Sequence, residues 1–465
     1  MEDPTSKKDA EGASKTKVNE ERLKKANEPA RLAIRYHSFY EGKIETVAKC
    51  PIRSVDDFAI WYTPGVAEPC KAIVNDPSLV NEFTNKWNTV AVVTDGTRVL
   101  GLGDIGPLAG MPVMEGKALI FKYLGGVDAF PICLDTKDVN NIINTVKWIA
   151  PSFGGINLED ISQPKCFTIL ERLRKELEIP VWHDDQQGTA TIVLAALINA
   201  LRLVGKKMNE VRIAMIGAGA ANIAISRLIV TAGVDVRKIL MTDSKGILHS
   251  GRKDLEEKYP EKWSMALRSN WEGREGGDKE AIKGADVLLA ASRPGPGVVT
   301  QGMVRSMATN AIVFATANPV PEIWPWEAME AGAKIVATGR SDFPNQVNNS
   351  LVFPAVFRGA FDVRASKITD EMCIAAANEL AETANDKGLQ YNYIVPTMAD
   401  WEAFPREATA LGIKAIEQGV ASKRFNRQEL YERAQEIISR SRKETELLMK
   451  NGYIRTIPET ANGSK

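Results

Sequence analysis

Histidine is scarce, cysteine is scattered, and neither sign of charge prevails. Only three histidines, His37, His183 and His249, occur in 465 residues, and one alone lies near the acidic motifs described below, so an imidazole-built metal site is not expected. The five cysteines, Cys50, Cys70, Cys133, Cys166 and Cys373, share no short repeated spacing. That argues against a disulfide framework and a thiolate zinc site, and for a reducing compartment. Cys70 and Cys166 flank motif segments but lack the neighbours of a nucleophile; both read as packing residues. Lys plus Arg and Asp plus Glu are both 59, so there is no basic field to hold a phosphate backbone, and no nucleic-acid partner is expected. The most apolar window, Thr191 to Val204, contains Asn199 and Arg202 and is shorter than the ~20 residues of a membrane span. It reads as a buried helix, and no membrane partner is expected. The first residues lack an apolar stretch for a signal peptide, and Glu2, Asp3, Asp9 and Glu11 do not suit a transit peptide. The expected location is cytoplasmic.

What is present is core material, 44% hydrophobic residues, in a chain too long for one ordinary domain. The pattern predicts an α/β protein: a disordered tail over 1–20, a parallel α/β domain over 21–188, a doubly wound domain over 189–364 and a helical segment over 365–465. A helix is expected from Glu21 to Glu45. Strands are expected at Val90 to Thr94, Ala118 to Tyr123, Ala129 to Leu134, Gly155 to Leu158 and Pro180 to Trp182, with helices over Asp138 to Ile149 and Pro164 to Leu177. After a helix at Thr189 to Val204, a second series follows at Val211 to Ile216, Ile239 to Thr242, Asp286 to Ala290, Ala311 to Phe314 and Lys334 to Val336. The last hundred residues carry one apolar face marked by Leu430, Ala434, Ile437 and Ile438, suited to packing against the body or a partner subunit.

The stretch Ile213-Ala-Met-Ile-Gly217-Ala-Gly219-Ala220-Ala221-Asn222 follows a strand and opens a helix. In that setting a Gly-x-Gly turn lets backbone amides approach a pyrophosphate, as in a Rossmann-like dinucleotide site. Asn222 stands where the fingerprint has Gly or Ala. Asp243 ends the next strand, where an acid receives the ribose hydroxyls and favours NAD. Ser244 and Lys245 follow at once, with Arg252 and Lys253 close by, and such groups suit the 2′-phosphate of NADP. The choice between NAD and NADP stays open, leaning to NADP.

Two acidic pairs, Glu159-Asp160 and Asp184-Asp185, sit at the ends of successive strands, which in a parallel sheet open onto one crevice. Crowded carboxylates call for a cation, and oxygen ligands suit a hard divalent ion such as Mg²⁺ or Mn²⁺; helix caps or surface acids are the plainer alternative. Arg98, in a glycine-rich connection, has the fork to grip a carboxylate. Lys117 stands at the mouth of an apolar strand, either as a base beside the metal or as a structural ion pair with Asp184. Taken alone, Tyr62 is a turn aromatic.

The motifs Tyr-Thr-Pro-Gly-Val-Ala, Gly-Leu-Gly-Asp-Ile-Gly, Val-Met-Glu-Gly-Lys-Ala, Asn-Leu-Glu-Asp-Ile, His-Asp-Asp-Gln-Gln-Gly-Thr-Ala and Pro-Asn-Gln-Val-Asn-Asn occur in order between about residues 60 and 355. With them the chain resembles malic enzymes of the short form. Asn222 and the Gln186-Gln187 pair depart from many relatives. The resemblance implies oxidative decarboxylation of malate to pyruvate and carbon dioxide with NAD or NADP and a divalent metal. It implies Lys117 as general base, Tyr62 as general acid, Asp184 orienting Lys117, and Glu159, Asp160 and Asp185 as metal ligands. Arg98, Asn318 and Asn349 are implied as malate contacts, with Asn318 also beside the cofactor, and the protein as a homodimer with catalytic groups shared between subunits. His183 is then a supporting or structural residue. Two rivals remain: a malolactic-type enzyme that keeps its NAD and releases lactate, and a catalytically idle dinucleotide-binding protein. The presence of Lys117, Tyr62 and all three acidic ligands argues against the second.

Overall fold

The computed structural model describes residues 28–30 and 32–458; the tail expected over 1–20 lies outside them. The chain divides into two compact units, Met1–Val47 with Thr445–Lys465, and Ala48–Glu444. In the smaller one a helix covers 28–30 and 32–40. The part of the expected Glu21 to Glu45 helix before residue 28 lies outside the described residues. The helix stops at 40, short of Glu45, because Glu41 (φ 56°) and Gly42 (φ 139°) turn out of helical space. Arg455 clasps its end, donating to Phe39 O at 2.7 Å while its guanidinium lies 4.9 Å from the Phe39 ring centroid.

The larger unit begins with short helical turns over Val55–Asp57 and Phe58–Trp61 and a helix over Ala67–Asn75, none with a buried residue. A parallel sheet follows: β1 (Thr89–Thr94), α1 (Gly106–Gly125), β2 (Asp128–Cys133), α2 (Val139–Ile149), β3 (Gly155–Leu158), α3 (Lys165–Glu176) and β4 (Val181–His183), in strand order β2-β1-β3-β4. Central β1 is buried along its whole length, as its unbroken Val-Ala-Val-Val run requires of a strand covered on both faces. Pro131 is accommodated because β2 is an edge strand.

Ala118 to Tyr123 is not a strand; it lies inside α1. Its four-residue apolar run suited a strand, yet the buried residues Met114, Lys117, Ala118, Phe121, Leu124 and Gly125 recur at three- and four-residue intervals. Helical burial won, and Gly126 (φ 62°) caps the end. Lys117 is therefore a mid-helix residue, not one at a strand mouth.

α4 (Thr189–Val204) joins the two sheets and ends at Gly205, whose φ of 68° again supplies a left-handed cap. A π-helical turn, Asp184–Gly188, precedes it, so the continuous helix Asp184–Val204 has 21 residues, longer than the apolar window alone suggests. It is the one helix among the described residues long and apolar enough to cross a membrane, and 72% of its apolar 18-residue window is buried inside the protein. Its side chains share one core with Val90, Phe121 and Trp182 on one side and Ile213, Met215 and Ile239 on the other. The second sheet contains β5 (Ile213–Ile216), α5 (Ala220–Thr231), β6 (Ile239–Asp243), β7 (Gly246–Ile247), α6 (Pro260–Arg268), β8 (Val287–Ala290), β9 (Ile312–Ala315) and β10 (Ile335–Thr338), in strand order β10-β9-β8-β5-β6-β7. All neighbours are parallel except β6 with β7. The chain leaves β5 toward β6 and returns on its other side at β8, which makes the β5/β8 boundary a topological switch point.

The remaining residues form α7 (Phe353–Asp362), α8 (Asp370–Asp386), α9 (Ala403–Glu417) and α10 (Arg427–Lys450). α7 threads the core beside Phe121 and carries a fully buried Arg358, paired with Asp362 at 2.9 Å and donating to Asn88 Oδ1 at 2.6 Å. On α10, Leu430, Ala434 and Ile438 are buried and Ile437 is half-buried, the face that the apolar spacing marks.

Candidate active site and dinucleotide crevice

Parallel strands deliver their C-terminal ends to one edge, and three of the four strands of the first sheet end there in polar residues. β1 runs into Asp95 and the Arg98 loop, β3 into Glu159-Asp160, and β4 into Asp184-Asp185. α1 lays Lys117 across this edge. Its Nζ is 3.0 Å from Glu159 Oε1 and in close contact with Asp184 Oδ2, and it lies 4.3 Å from the Phe353 ring centroid. Asp184 is fully buried and also accepts from Trp182 Nε1 at 3.0 Å and Asn349 Nδ2 at 2.5 Å. Gly188 in the π turn is obligatory, since a Cβ there would overlap Asp184 Oδ1.

One oxygen from each of Glu159, Asp160 and Asp185 lies within 4.8 Å of the others. Asn157 Nδ2 donates to Glu159 at 3.0 Å, and Asp160 N donates to Asp185 at 2.8 Å. Asp160 holds a left-handed backbone (φ 54°) and its Oδ2 is buried without a hydrogen-bond partner. Burial, reinforced by neighbouring acids, pushes the carboxyls of Glu159 and Asp160 well above the usual range, against the pull of Lys117. Asp184 is raised by the same burial, again opposed by Lys117. Burial alone would strip the Lys117 proton, but Asp184, Glu159 and Asp185 outweigh it and hold that proton more tightly than usual. Among the described residues Lys117 is the one lysine or arginine in ion-pair range of these four carboxylates. The surplus of negative charge, the all-oxygen donor set and the orphaned Asp160 oxygen fit a hard divalent cation.

His183 is buried with neither ring nitrogen bonded, and burial lowers it to about 4, so it is neutral; it stands 3.6 Å from Asp185 and is not among the converging ligand atoms. Cys166 is buried and burial raises its thiol to about 12, as expected of a packing residue, whereas Cys70 is exposed and does not pack.

Arg98 is exposed; its backbone N donates to Asp160 O at 2.9 Å and its Nη1 to Leu100 O at 2.8 Å, and the rest of its fork is unbonded among the described residues. Asn349 joins the nest through Asp184. Asn318, half-buried, follows β9 in the other sheet, and the Arg98 loop comes up against it at Gly101, where a Cβ would lie 2.5 Å from Asn318 O. Tyr62 is not brought in: it is 71% exposed, and its hydroxyl makes no hydrogen bond among the described residues.

In the second sheet Gly217 (φ 95°) turns β5 into α5, and a Cβ there would lie 2.8 Å from Ala291 O. Gly219 is the N-cap residue with nothing within 4 Å of its Cβ direction, leaving the first turn, Ala220 and Ala221, open to a ligand. Asn222 has a task of its own, donating to Ile216 O at 3.0 Å and Gly217 O at 2.7 Å and so pinning the turn. Asp243, at the tip of β6, is already engaged: Arg252 binds both its oxygens at 3.1 Å and Lys262 stands at 3.8 Å. Lys245 is exposed and pairs with Asp254 at 2.8 Å; Ser244 is exposed. Sequence reasoning missed Lys262, which reaches Asp243 from α6, and Trp182 and Asn157, which steady the acids. Trp182 and Asn157 were signalled only by proximity to the acidic motifs, and Lys262 by nothing local.

Residues 41–174 match the family model described as malic enzyme, N-terminal domain, and residues 186–413 that described as malic enzyme, NAD binding domain. The chain is 49% identical over 405 residues to the bifunctional malic/malolactic enzyme of Bacillus subtilis, covering 87% of this chain and 97% of that one. It is 50% identical to the NAD-dependent malic enzyme of Geobacillus stearothermophilus, covering 82% and 78%, and 42% identical to the NADP-dependent malic enzyme of Halomonas elongata, covering 84% and 95%. The crystal structure of the Entamoeba histolytica malic enzyme is similar with a TM-score of 0.90 at 48% identity, covering 92% and 90%.

Proposed function

The chain belongs to the malic enzyme family, enzymes that oxidise and decarboxylate malate with NAD or NADP, and from that premise we propose how its own residues divide the reaction. The observation that carries the proposal is the buried nest in which one lysine faces four carboxylates.

Glu159, Asp160 and Asp185 would hold a divalent Mg²⁺ or Mn²⁺ ion, which would supply Lewis-acid polarisation at malate C2 and an electron sink for loss of the C4 carboxylate. Lys117 is the general base. A cation held there would offset the charges of Glu159 and Asp185, leaving Asp184 alone to hold the Lys117 proton against the burial that favours the neutral amine. Lys117 Nζ takes the C2 hydroxyl proton as hydride leaves C2 for the cofactor. Asp184, fixed by Trp182 and Asn349, keeps Nζ aimed. Arg98 grips a malate carboxylate, with Asn318 and Asn349 as polar contacts, and Asn318 also faces the cofactor. Tyr62 protonates C3 after carbon dioxide departs.

Tyr62 does this from a second copy of the chain. Its segment has no buried residue between Val55 and Asn75 apart from half-buried positions, and Val55, Phe58, Ile60 and Trp61 stand exposed beside it. An apolar, unpacked segment bearing the acid supports a homodimer in which each site borrows its tyrosine. At the ribose end, Arg252 and Lys262 gathered by Asp243 favour NADP. The five unpaired cysteines support a cytoplasmic setting.

The test is nicotinamide absorbance with malate and Mn²⁺, with NAD and NADP in parallel, with and without chelator, and with product analysis. Chelator-sensitive reduction with pyruvate formed is expected. The similarity to the B. subtilis bifunctional enzyme favours a second reading, malolactic chemistry; lactate formed without net cofactor reduction would establish that one instead.

A further inference from the structure

Glu322 is completely buried, on the loop that follows β9. Its carboxylate accepts from Ser292 N at 2.8 Å, Ser292 Oγ at 3.2 Å and Ala317 N at 3.1 Å. Its own carbonyl accepts from Gly297 N and Val299 N, each at 3.2 Å, and Val320 O accepts from Gly295 N at 3.2 Å. One residue thus ties the loop after β8 to the loop after β9, on adjacent strands of which β8 borders the switch point. An apolar side chain would fill the space without these bonds. A buried carboxylate is retained there at a cost, since burial pushes its proton affinity up while the donors pull it down.

What the clamp holds is informative. Ala317, bonded to Glu322, is followed directly by Asn318. On the opposite side the Arg98 loop of the first domain presses on both clamped loops: a Cβ on Gly101 would overlap Pro294 Cγ and lie 2.5 Å from Asn318 O. The Arg98 loop therefore meets the loop after β9 at the Asn318 backbone and the loop after β8 at the Pro294 ring, leaving no room for a side chain between them.

We propose that Glu322 is a positioning residue that sets the spacing between Asn318 and the Arg98 loop at which both engage one malate. The inference rests on the reading above that Asn318 and Arg98 contact malate. Gln at this position keeps the volume but has one acceptor oxygen and turns an N–H toward an N–H donor. Glu322→Gln should raise KM for malate about tenfold, with kcat falling less, because small misplacement of substrate contacts weakens binding steeply. Mn²⁺ affinity, followed by the free-ion resonance signal, should stay unchanged. Gly101→Ala, which pushes the same loops apart from the other side without touching Glu322, should raise KM in the same way and keeps the question answerable if Glu322→Gln folds poorly. A merely structural glutamate would lower melting temperature and active fraction while leaving KM alone, and that result overturns the proposal. Asn318→Ala is the control: if it raises KM while Glu322→Gln and Gly101→Ala do not, the clamp is wrong and the malate contact stands. Should Asn318→Ala leave KM untouched, the contact itself fails and the clamp with it.

Discussion

Asp160→Asn should make the metal-free protein more stable while removing its response to the metal. The nest places Asp160 within 4.8 Å of Glu159, and at an effective dielectric constant of about 20 two unit charges at that separation repel by about 3 kcal/mol. Burial itself raises the Asp160 carboxyl most, and Asp185 is the neighbouring charge that raises it further, against the pull of Lys117. Asparagine tolerates the left-handed backbone that Asp160 adopts, so the substitution removes charge without straining the chain. The linkage sign follows from the raised carboxyl: its stability contribution is full below the ordinary value of 3.8 and is lost as pH rises toward the folded-state value. The gap between variant and wild type should therefore open with increasing pH above about 4. Thermal melting of chelator-treated protein at pH 7.5 should show the variant about 3 °C or more above wild type. Saturating Mn²⁺ should raise the wild type by the equivalent of about 3 kcal/mol at one hundred times Kd and leave the variant unmoved. A variant that melts lower without metal, or that keeps the full Mn²⁺ shift, would refute both the crowding and the ligand role.

Lys117→Ala and Tyr62→Phe should each be inactive as pure proteins. Unfolded and refolded together, they should recover about a quarter of wild-type activity, since half the dimers then carry one intact site; no recovery would place Tyr62 and Lys117 of one chain in one site. Arg252→Gln should lower kcat/KM for NADP by about 10–100-fold, the worth of a charge-assisted bond to phosphate, and leave NAD unchanged or improved as Asp243 is freed; equal loss for both cofactors would rule out a 2′-phosphate contact. Glu407 on α9 is fully buried with neither oxygen bonded, and burial, with the Glu379 charge, raises it well above its ordinary 4.5. Its contribution is intact below 4.5 and lost as pH rises, so Glu407→Gln should gain on wild type by about 1.4 kcal/mol per pH unit above that point, until the folded carboxyl ionises. A gain that does not vary with pH, measured by melting from pH 5 to 8, contradicts the unpaired acid.

The alternation of strand and helix was legible because most core strands are short runs bounded by turns, and parallel order put their acidic ends on one edge without any knowledge of contacts. Ala118 to Tyr123 misled because four apolar residues in a row satisfy a strand and a helix face equally, and only the wider spacing from Met114 to Gly125 decides. Lys117 kept its place in the nest despite the wrong element, since its partners are fixed by strand ends and not by its own backbone. Asp243 looked free to receive a ribose because Arg252 and Lys262 reach it through a loop and from α6, contacts that no local pattern displays. Glu322 left no trace for the same reason: its partners lie 5 and 30 residues away, and a glutamate after a proline-rich turn looks like ordinary surface.

The helix Asp184–Val204 begins in the acidic nest and runs through the core that both sheets share. It behaves as an axle set in two walls: neither sheet can tilt without dragging the carboxylates of its first turn. Entry of substrate and cofactor is thus left to the loops around the rim. The nucleotide-binding edge can drift toward one cofactor or the other over evolutionary time, while the chemistry stays anchored to a shaft that tolerates almost no change in volume along its length.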